Sequence, residues 1–428
     1  MATPPQRPSR NHHFNPRSVL RRFSIDGRGK QVWVYDKTTA RRFSAGLGGA
    51  GSANDYNTLV LPDGEILNFE DAFGDIDGVF AHTGDTLTRN RRVADLDPAF
   101  RARLADGVVV QFLRTPMVRS TFQALPRQLA ERIAEVGLET PAEDEFPTDN
   151  DARLQSLKFL AERDDLRAAL LEKDIILLEP AGDARFWTSD HPVVRVSNAP
   201  NGDTGFRAMG VQIYLPVASD LMLGFLCPSL RRQLTHIPLE SMRVDSERLA
   251  PLIAWRNGLL SGRPVPVDDA TVQSFNHYQV VDSRRFLYAT RDDFDLADDI
   301  LRRNPSVRAV ESMISMGRIG EGLGPSGTVP EGKWLALYGR ERTHLIPMIT
   351  WDPAARVAEV VTDLPALLDD VLGDAPFKSA EFYVDRHALR VMNGGIELIV
   401  LDRGRTTRFQ VVHSDPSLRA LDELLGRS

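Results

Sequence analysis

Cysteine is nearly absent from this 428-residue sequence: Cys227 stands alone. One thiol can neither close an internal disulfide nor supply the thiolates of a zinc ribbon. Its apolar setting, LMLGFLCPSL, fits a buried structural thiol better than a nucleophile. Long apolar runs are missing too. No stretch approaches the roughly 20 apolar residues of a spanning helix, and the opening MATPPQRPSRNHHF has no apolar secretory segment. The expected location is therefore cytoplasmic, with no membrane partner. No G-x-S-x-G elbow is present, which sets serine hydrolases aside. Lysine is scarce, six among 52 basic residues, and codon usage explains that as well as guanidinium chemistry does.

The composition that is present is ordinary for a globular protein, 42% hydrophobic and 26% charged, and the length favours two domains. A net charge of −7 argues against broad adhesion to nucleic acid. The charge is unevenly spread. Ten basic side chains from Arg7 to Arg42 face only Asp26 and Asp36. Such a region can dock on nucleic acid or another phosphate-bearing ligand, or equally on the protein's own acidic surface.

The pattern along the chain predicts an α+β fold: a β-rich N-terminal module, a central helical block, a mixed sheet and a smaller C-terminal α+β domain. QVWVYD (31–36) reads as a strand, and Asp63-Gly64 as a hairpin turn between apolar runs. Asp97-Pro98 supplies an N-cap and a first helical residue for AFRARLADGVVVQFL, with Pro116 bending or ending that helix. Helices are also expected from Pro126 to Val136, closed by Gly137, and from Asp151 to about Glu172. Strands return in DIILLEP, RFWTSDHPVV, VQIYLPV and LMLGFL, before helices near 245–261 and 294–303. The main domain is taken as 1–315, a Gly/Pro-rich linker as 316–333, and the C-terminal domain as 334–428. That last domain should hold a helix near Leu364 to Leu372, a meander turning at Asn393-Gly394 and Arg403-Gly404, and a closing amphipathic helix.

Two glycine patterns resemble phosphate loops and fail in context. Gly46, Gly48 and Gly51 satisfy G-x-G-x-x-G, yet SANDYNTL follows where a helix is required. Gly327, Gly332 and Lys333 begin a P-loop, but Trp334 stands where the magnesium-binding Ser or Thr belongs. No nucleotide cofactor is expected.

The candidate site residues are polar groups in otherwise apolar or loop settings. His12 and His13 are adjacent, so on an extended chain they point to opposite sides and one at most serves a given site. Glu70 opens a short helix after Asn68, where an acidic residue already favours the helix dipole, a role shared by Asp71, Asp75 and Asp77. Arg114 lies two residues before Pro116 and either clasps a buried carboxylate, with Asp190 a natural partner, or presents its fork to a phosphate. Asp190 and His191 end a strand side by side, as reactive groups or as caps of a turn. Asn276-His277-Tyr278 is a weaker cluster, and the other histidines are scattered.

Taken in order, His12-His13-x-x-Pro16 with LRRF (20–23), VWVYDK (32–37), QFLRTP (111–116), WTSDHPV (187–193) and Leu215-Pro216 before LML (221–223) resemble the bacterial domain-of-unknown-function family 4238 over residues 11–290. Asn15 replaces the Val or Ile that family members carry before the opening proline, and the C-terminal residues lie outside the resemblance. The resemblance implies an architecture and a motif set, and no reaction.

Two functions remain open. If the motifs converge, His12 or His13 with Glu70 and Asp190 gives a nitrogen and two carboxylates suited to Mg, Mn or Zn, and Arg114 steadies a phosphoryl oxygen. That is a metal-dependent phosphodiester hydrolase, a nuclease if the basic region holds a backbone. Its catalytic set is His12, His13, Arg114, Asp190 and His191, and its metal set is His13, Glu70 and Asp190. The alternative is a non-catalytic interaction protein whose polar motifs are a buried structural network and whose C-terminal domain takes a protein partner.

Overall fold

Residues 11–68 fold mainly as short strands, paired by hairpins and by contacts distant in sequence, and from Glu70 the chain turns helical where the sequence pattern suggests strands and loops. The computed structural model describes residues 10–135, 137–196, 205–207, 211–228, 231, 234–235 and 246–314, and the backbone of seven further strands between 333 and 413. Contacts divide the chain into two compact units, Met1–Val196 with Gln212–Ile319, and Ser197–Val211 with Gly320–Ser428.

In the first unit, β1 (Asn11–His13) leads into the short helix α1 (Arg17–Leu20), then β2 (Gln31–Asp36) and β3 (Arg41–Gly46). β4 (Ser52–Asn54) returns antiparallel to β1, with His12 opposite Ala53. β5 (Thr58–Val60) and β6 (Ile66–Asn68) form the expected hairpin around Asp63-Gly64, where Gly64 takes a positive φ of 86°.

Five helices follow. α2 (Glu70–Asn90) is far longer than the short helix expected after Asn68. α3 (Pro98–Leu113) starts as the sequence suggests: the Asp97 carboxylate accepts from Phe100 N at 3.1 Å, and Pro98 needs no N–H partner in the first turn. α3 stops before Pro116, which opens α4 (Pro116–Glu135). Pro126 does not begin a helix; it sits inside α4. It forgoes one backbone bond, and Ala124 and Ala130 on either side are buried. The expected helix from Asp151 to Glu172 is two, α5 (Asp149–Ala161) and α6 (Asp164–Leu171). Arg163 lies between them, its guanidinium bound to Asp106 at 2.7 Å and to the Leu160 carbonyl at 2.9 Å.

The mixed sheet is built from β7 (Asp174–Pro180), β9 (Val194–Val196), β10 (Gln212–Ala218), β11 (Leu221–Leu226) and β12 (Val265–Val267), in the order β12-β7-β11-β10-β9. Only β12 and β7 run parallel. β10 and β11 are buried along their whole length, as strands covered on both faces must be. Cys227, just beyond β11, is buried and in no disulfide. A second sheet, β3-β2-β13-β8, joins the N-terminal strands to β8 (Thr188–Ser189) and β13 (Phe286–Ala289). Against it pack α8 (Asp269–Asp282) and α9 (Asp295–Arg303) through Tyr35, Trp187, Val280, Leu287 and Phe294, while α7 (Ser246–Ser261) precedes β12. Long strand and helix runs in one unit make the class α+β.

In the second unit, β14 (Lys333–Tyr338), β15 (Thr343–Asp352), β16 (Val357–Val360), β17 (Ala380–Val384), β18 (His387–Val391), β19 (Glu397–Asp402) and β20 (Arg405–His413) close a barrel in the order β14-β15-β16-β20-β19-β18-β17. β16 and β20 are parallel and the other pairs antiparallel. Closure leaves no free sheet edge. The helix expected near Leu364 to Leu372, the closing helix, most of the Gly/Pro-rich segment and both meander turns lie outside the described residues. Among the described residues no helix is long and apolar enough to cross a membrane.

Candidate functional site

The two histidines of β1 diverge, as neighbours on a strand do. His12 is fully buried: Nδ1 accepts the Asn57 backbone N–H at 2.9 Å, and Nε2 lies 3.4 Å from Asn68 Nδ2. His13 meets Glu70 at the start of α2. Glu70 Oε1 accepts the His13 backbone N–H at 3.2 Å and lies 3.9 Å from His13 Nδ1, while Oε2 accepts from Asn57 Nδ2 at 2.6 Å. His13 Nε2 is buried without a hydrogen-bond partner. Burial raises the Glu70 pKa, but the contacts with His13 and Asn57 prevail and hold it below the usual value.

Gly51 explains the glycine pattern that resembled a phosphate loop. Its carbonyl accepts both Phe14 N and Asn15 N at 3.0 Å, and its own N–H reaches Tyr288 Oη at 3.1 Å. Its φ is +64°, and a Cβ there would stand 2.8 Å from Asn15 Cβ. The glycine is needed for close approach of two backbones.

Arg114 caps α3 at the elbow with α4 and is closed on every side. Nη1 binds Asp77 Oδ1 at 2.6 Å, Nη2 binds Gln111 Oε1 at 3.0 Å, and Nε joins Gln111 Nε2 in donating to the Phe14 carbonyl at 3.1 Å. The side chain is 2% exposed. The clasp expected with Asp190 is therefore made with Asp77, because the elbow turns Arg114 toward α2. Burial pushes the Asp77 pKa up, against the pull of Arg114.

Asp190 is saturated elsewhere. Its carboxylate accepts the backbone N–H groups of Arg284, Arg285 and Phe286 at 2.9, 2.8 and 2.9 Å, capping the entry to β13. Burial drives its pKa up, while those donors and the nearby Lys37 ammonium act in the opposite sense. Lys37 is itself buried, with Nζ donating to the Val280 and Ser283 carbonyls at the end of α8. His191 packs on Phe112, and its Nδ1 lies 2.7 Å from Thr115 Oγ1. Burial, helped by Arg195, lowers its pKa to about 3, so it is neutral. Ser189 Oγ donates to Gln279 Oε1 at 2.7 Å, and Asn15 Nδ2 donates to the Ser189 carbonyl at 3.0 Å. Asn276 of α8 accepts Trp187 N at 2.8 Å, which gives the Asn276-His277-Tyr278 cluster a packing role at its first position.

The structure thus brings His13 to Glu70, places Arg114 and Asp77 next to each other, sets His191 against Phe112 and Thr115 at the same elbow, and commits the Asp190 carboxylate to the turn before β13. Among the described residues no group of three or more His, Cys, Asp or Glu side chains is placed to hold a metal ion, so His13, Glu70 and Asp190 do not assemble as one ligand set. Four of the ten basic residues of the N-terminal stretch are paired within the chain: Arg10 with Asp55, Arg21 and Arg22 with Asp85, and Arg42 with Asp292, Asp295 and Asp298. Residues 1–9 lie outside the described ones.

Sequence reasoning missed Tyr56, Asn57, Arg119, Arg153 and Arg284. Tyr56 donates to the Arg114 carbonyl at 2.9 Å and packs edge-on against Phe14. Burial pushes its pKa up to about 12. A signal was available for Arg119: a charge within MVRSTF, in the buried first turns of α4.

No curated protein and no solved structure matches the chain. A family model described as "Protein of unknown function (DUF4238)" matches residues 11–293, a span that holds β1, the Arg114 elbow and the Asp190 turn. The chain belongs to that family of proteins of unknown function.

Proposed function

We propose that this chain is a non-catalytic interaction protein in which the motif residues form a buried polar network that locks the N-terminal segment onto the helices and sheet. Asp190 carries this reading: both carboxylate oxygens are engaged by three backbone N–H groups, a structural cap with no face turned to a substrate. Arg114, closed on Asp77, Gln111 and Phe14, supports it. A protein partner is assigned to the C-terminal unit, and a phosphate-bearing ligand or nucleic acid to the N-terminal unit. Replacing Asp190 by Asn presents an amide to N–H donors and should lower stability by about 3–5 kcal/mol in urea denaturation. Unchanged stability would overturn the network reading.

A second reading, phosphodiester hydrolysis including nuclease action, draws on His13. A carboxylate beside one ring nitrogen and a free second nitrogen are the parts of a general base oriented by an acidic residue. If a divalent metal (Mg, Mn or Zn) takes part, His13 and Glu70 are the two residues of the expected set that stand together to receive it. Hydrolysis of bis(4-nitrophenyl) phosphate, with each metal and with EDTA, tests this. Turnover abolished in His13→Ala at unchanged melting temperature supports it, and no turnover under any condition removes it.

A further inference from the structure

Apolar surface gathers along the seam where α4 packs on α5. Phe122, Leu125, Leu129 and Ile133 recur at i, i+3, i+7 and i+11, so they share one face of α4. Phe122 meets Phe159 of α5 edge-on, with ring centroids 5.7 Å apart. Beyond α4, Gly137 takes a φ of +76°, and Leu138 donates its backbone N–H to the Ile133 carbonyl at 3.3 Å, which folds Leu138 back toward the end of that face. Single exposed leucines are ordinary on a globular surface. Here Leu129, Leu138 and Phe159, which are 44%, 64% and 49% exposed, belong to one seam.

The free charge beside this seam is mostly of one sign. Arg127 binds Glu143 at 2.6 Å and lies over the Phe146 ring, 4.9 Å from its centroid, which fixes the acidic residues 143–145 against α4. Arg132, Arg153 and Arg163 are taken by Glu135, Asp149 and Asp106, and of the bases between 127 and 163 only Lys158 has no carboxylate partner among the described residues. Glu139, Asp144, Glu145 and Glu162 are exposed and make no ion pair among the described residues. Glu139 directly follows Leu138, and Glu162 stands one turn after Phe159, so carboxylates border the apolar side chains. Pro126 adds an acceptor: having no N–H, it leaves the Phe122 carbonyl one turn earlier without its helical donor.

We infer that the α4–α5 seam is a docking site for a basic amphipathic helix of a partner protein. The apolar stripe of such a helix lies against Leu129, Leu138 and Phe159, and its lysines and arginines meet Glu139, Asp144, Glu145 and Glu162. Charge selects this occupant over a second copy of the chain, because a two-fold contact through the seam would bring the same unpaired carboxylates together. The seam shares no residue with the His13–Glu70 pair or the Asp190 turn, so it stands apart from both readings above.

The test is fluorescence anisotropy of the full chain with a labelled synthetic helix of about 18 residues, leucine on one face and lysine on the other, and with a peptide of the same composition in scrambled order. Wild type should bind the amphipathic peptide saturably, more tightly at low than at physiological ionic strength. Leu129→Gln and Leu138→Gln, both exposed changes checked for unaltered melting, should each weaken binding about tenfold. Glu139→Gln combined with Glu162→Gln should weaken it about threefold and flatten the salt dependence. No binding by wild type, equal binding of the scrambled peptide, or unchanged affinity in both leucine variants would overturn the assignment. Self-association of wild type that is lost in Leu129→Gln would also overturn it, giving the seam to a second copy.

Discussion

Arg114 and Arg119 flank one helical elbow and meet opposite surroundings. Arg114 has a carboxylate, an amide oxygen and a backbone carbonyl on its three donor edges. Arg119 has one carbonyl and a tyrosine ring, and keeps a buried donor unanswered. Both are buried cations in helical sequence with apolar neighbours. What distinguishes them is not burial but whether the protein supplies the acceptors. A fully answered arginine holds structure together, and a partly answered one leaves a donor that the fold does not use.

The comparison breaks if the two respond alike to removal of charge. Arg114→Met should cost about 3–5 kcal/mol in urea denaturation, because Asp77 is left buried without its partner. Arg119→Met should cost under about 1 kcal/mol, since packing on Tyr56 survives and an unpaired buried charge disappears. Equal costs would remove the distinction. Gly51→Ala tests the backbone contact that Arg114 braces at Phe14. A side chain at φ +64° and 2.8 Å from Asn15 Cβ should lower stability by about 3 kcal/mol, read from the same transition.

Acid sharpens the contrast on the answered side. The His191 pKa is depressed to about 3 in the folded chain, so its contribution is present above the ordinary value of 6.5 and is lost as pH falls from there toward about 3. At pH 5 the loss should be about 2 kcal/mol. Asp282 acts in the opposite sense: burial raises its pKa to about 6, so its protonation favours the folded chain below that pH. A comparison of wild type with His191→Gln between pH 7 and 5 isolates the histidine: the variant should lose less stability on acidification than wild type, by about 2 kcal/mol at pH 5. An unchanged slope in the variant would show that His191 is not the group responsible.

Local signals in the sequence carried most of the first unit. Asp97-Pro98, Asp63-Gly64 and Pro116 mark their boundaries because capping, turn geometry and the missing proline N–H act over a few residues. α8 was not foreseen, because its apolar positions alternate with polar ones, and Asn276 and Gln279 are explained by Trp187, Ser189 and Pro192 far away in the chain. The site was legible in part. Adjacency separated His12 from His13, and Glu70 was singled out, but nothing local reveals that Asp77 lies closer to Arg114 than Asp190 does. Arg119 shows in the sequence as a charge within MVRSTF, but nothing there reveals that its Nε goes unpartnered.

The pairing of β2 with β13 also sets a clock. Asp36 and Arg285, joined at the end of that ladder, are 249 residues apart, and Asn15 reaches Ser189 across 174. At about 5–20 residues per second, a ribosome that has released β2 needs roughly 10–50 s to release its partner strand. Through that interval the apolar face of QVWVYD has β3 on one side and nothing on the other, so the chain is born with an open strand edge that it can close only near the end of the first unit.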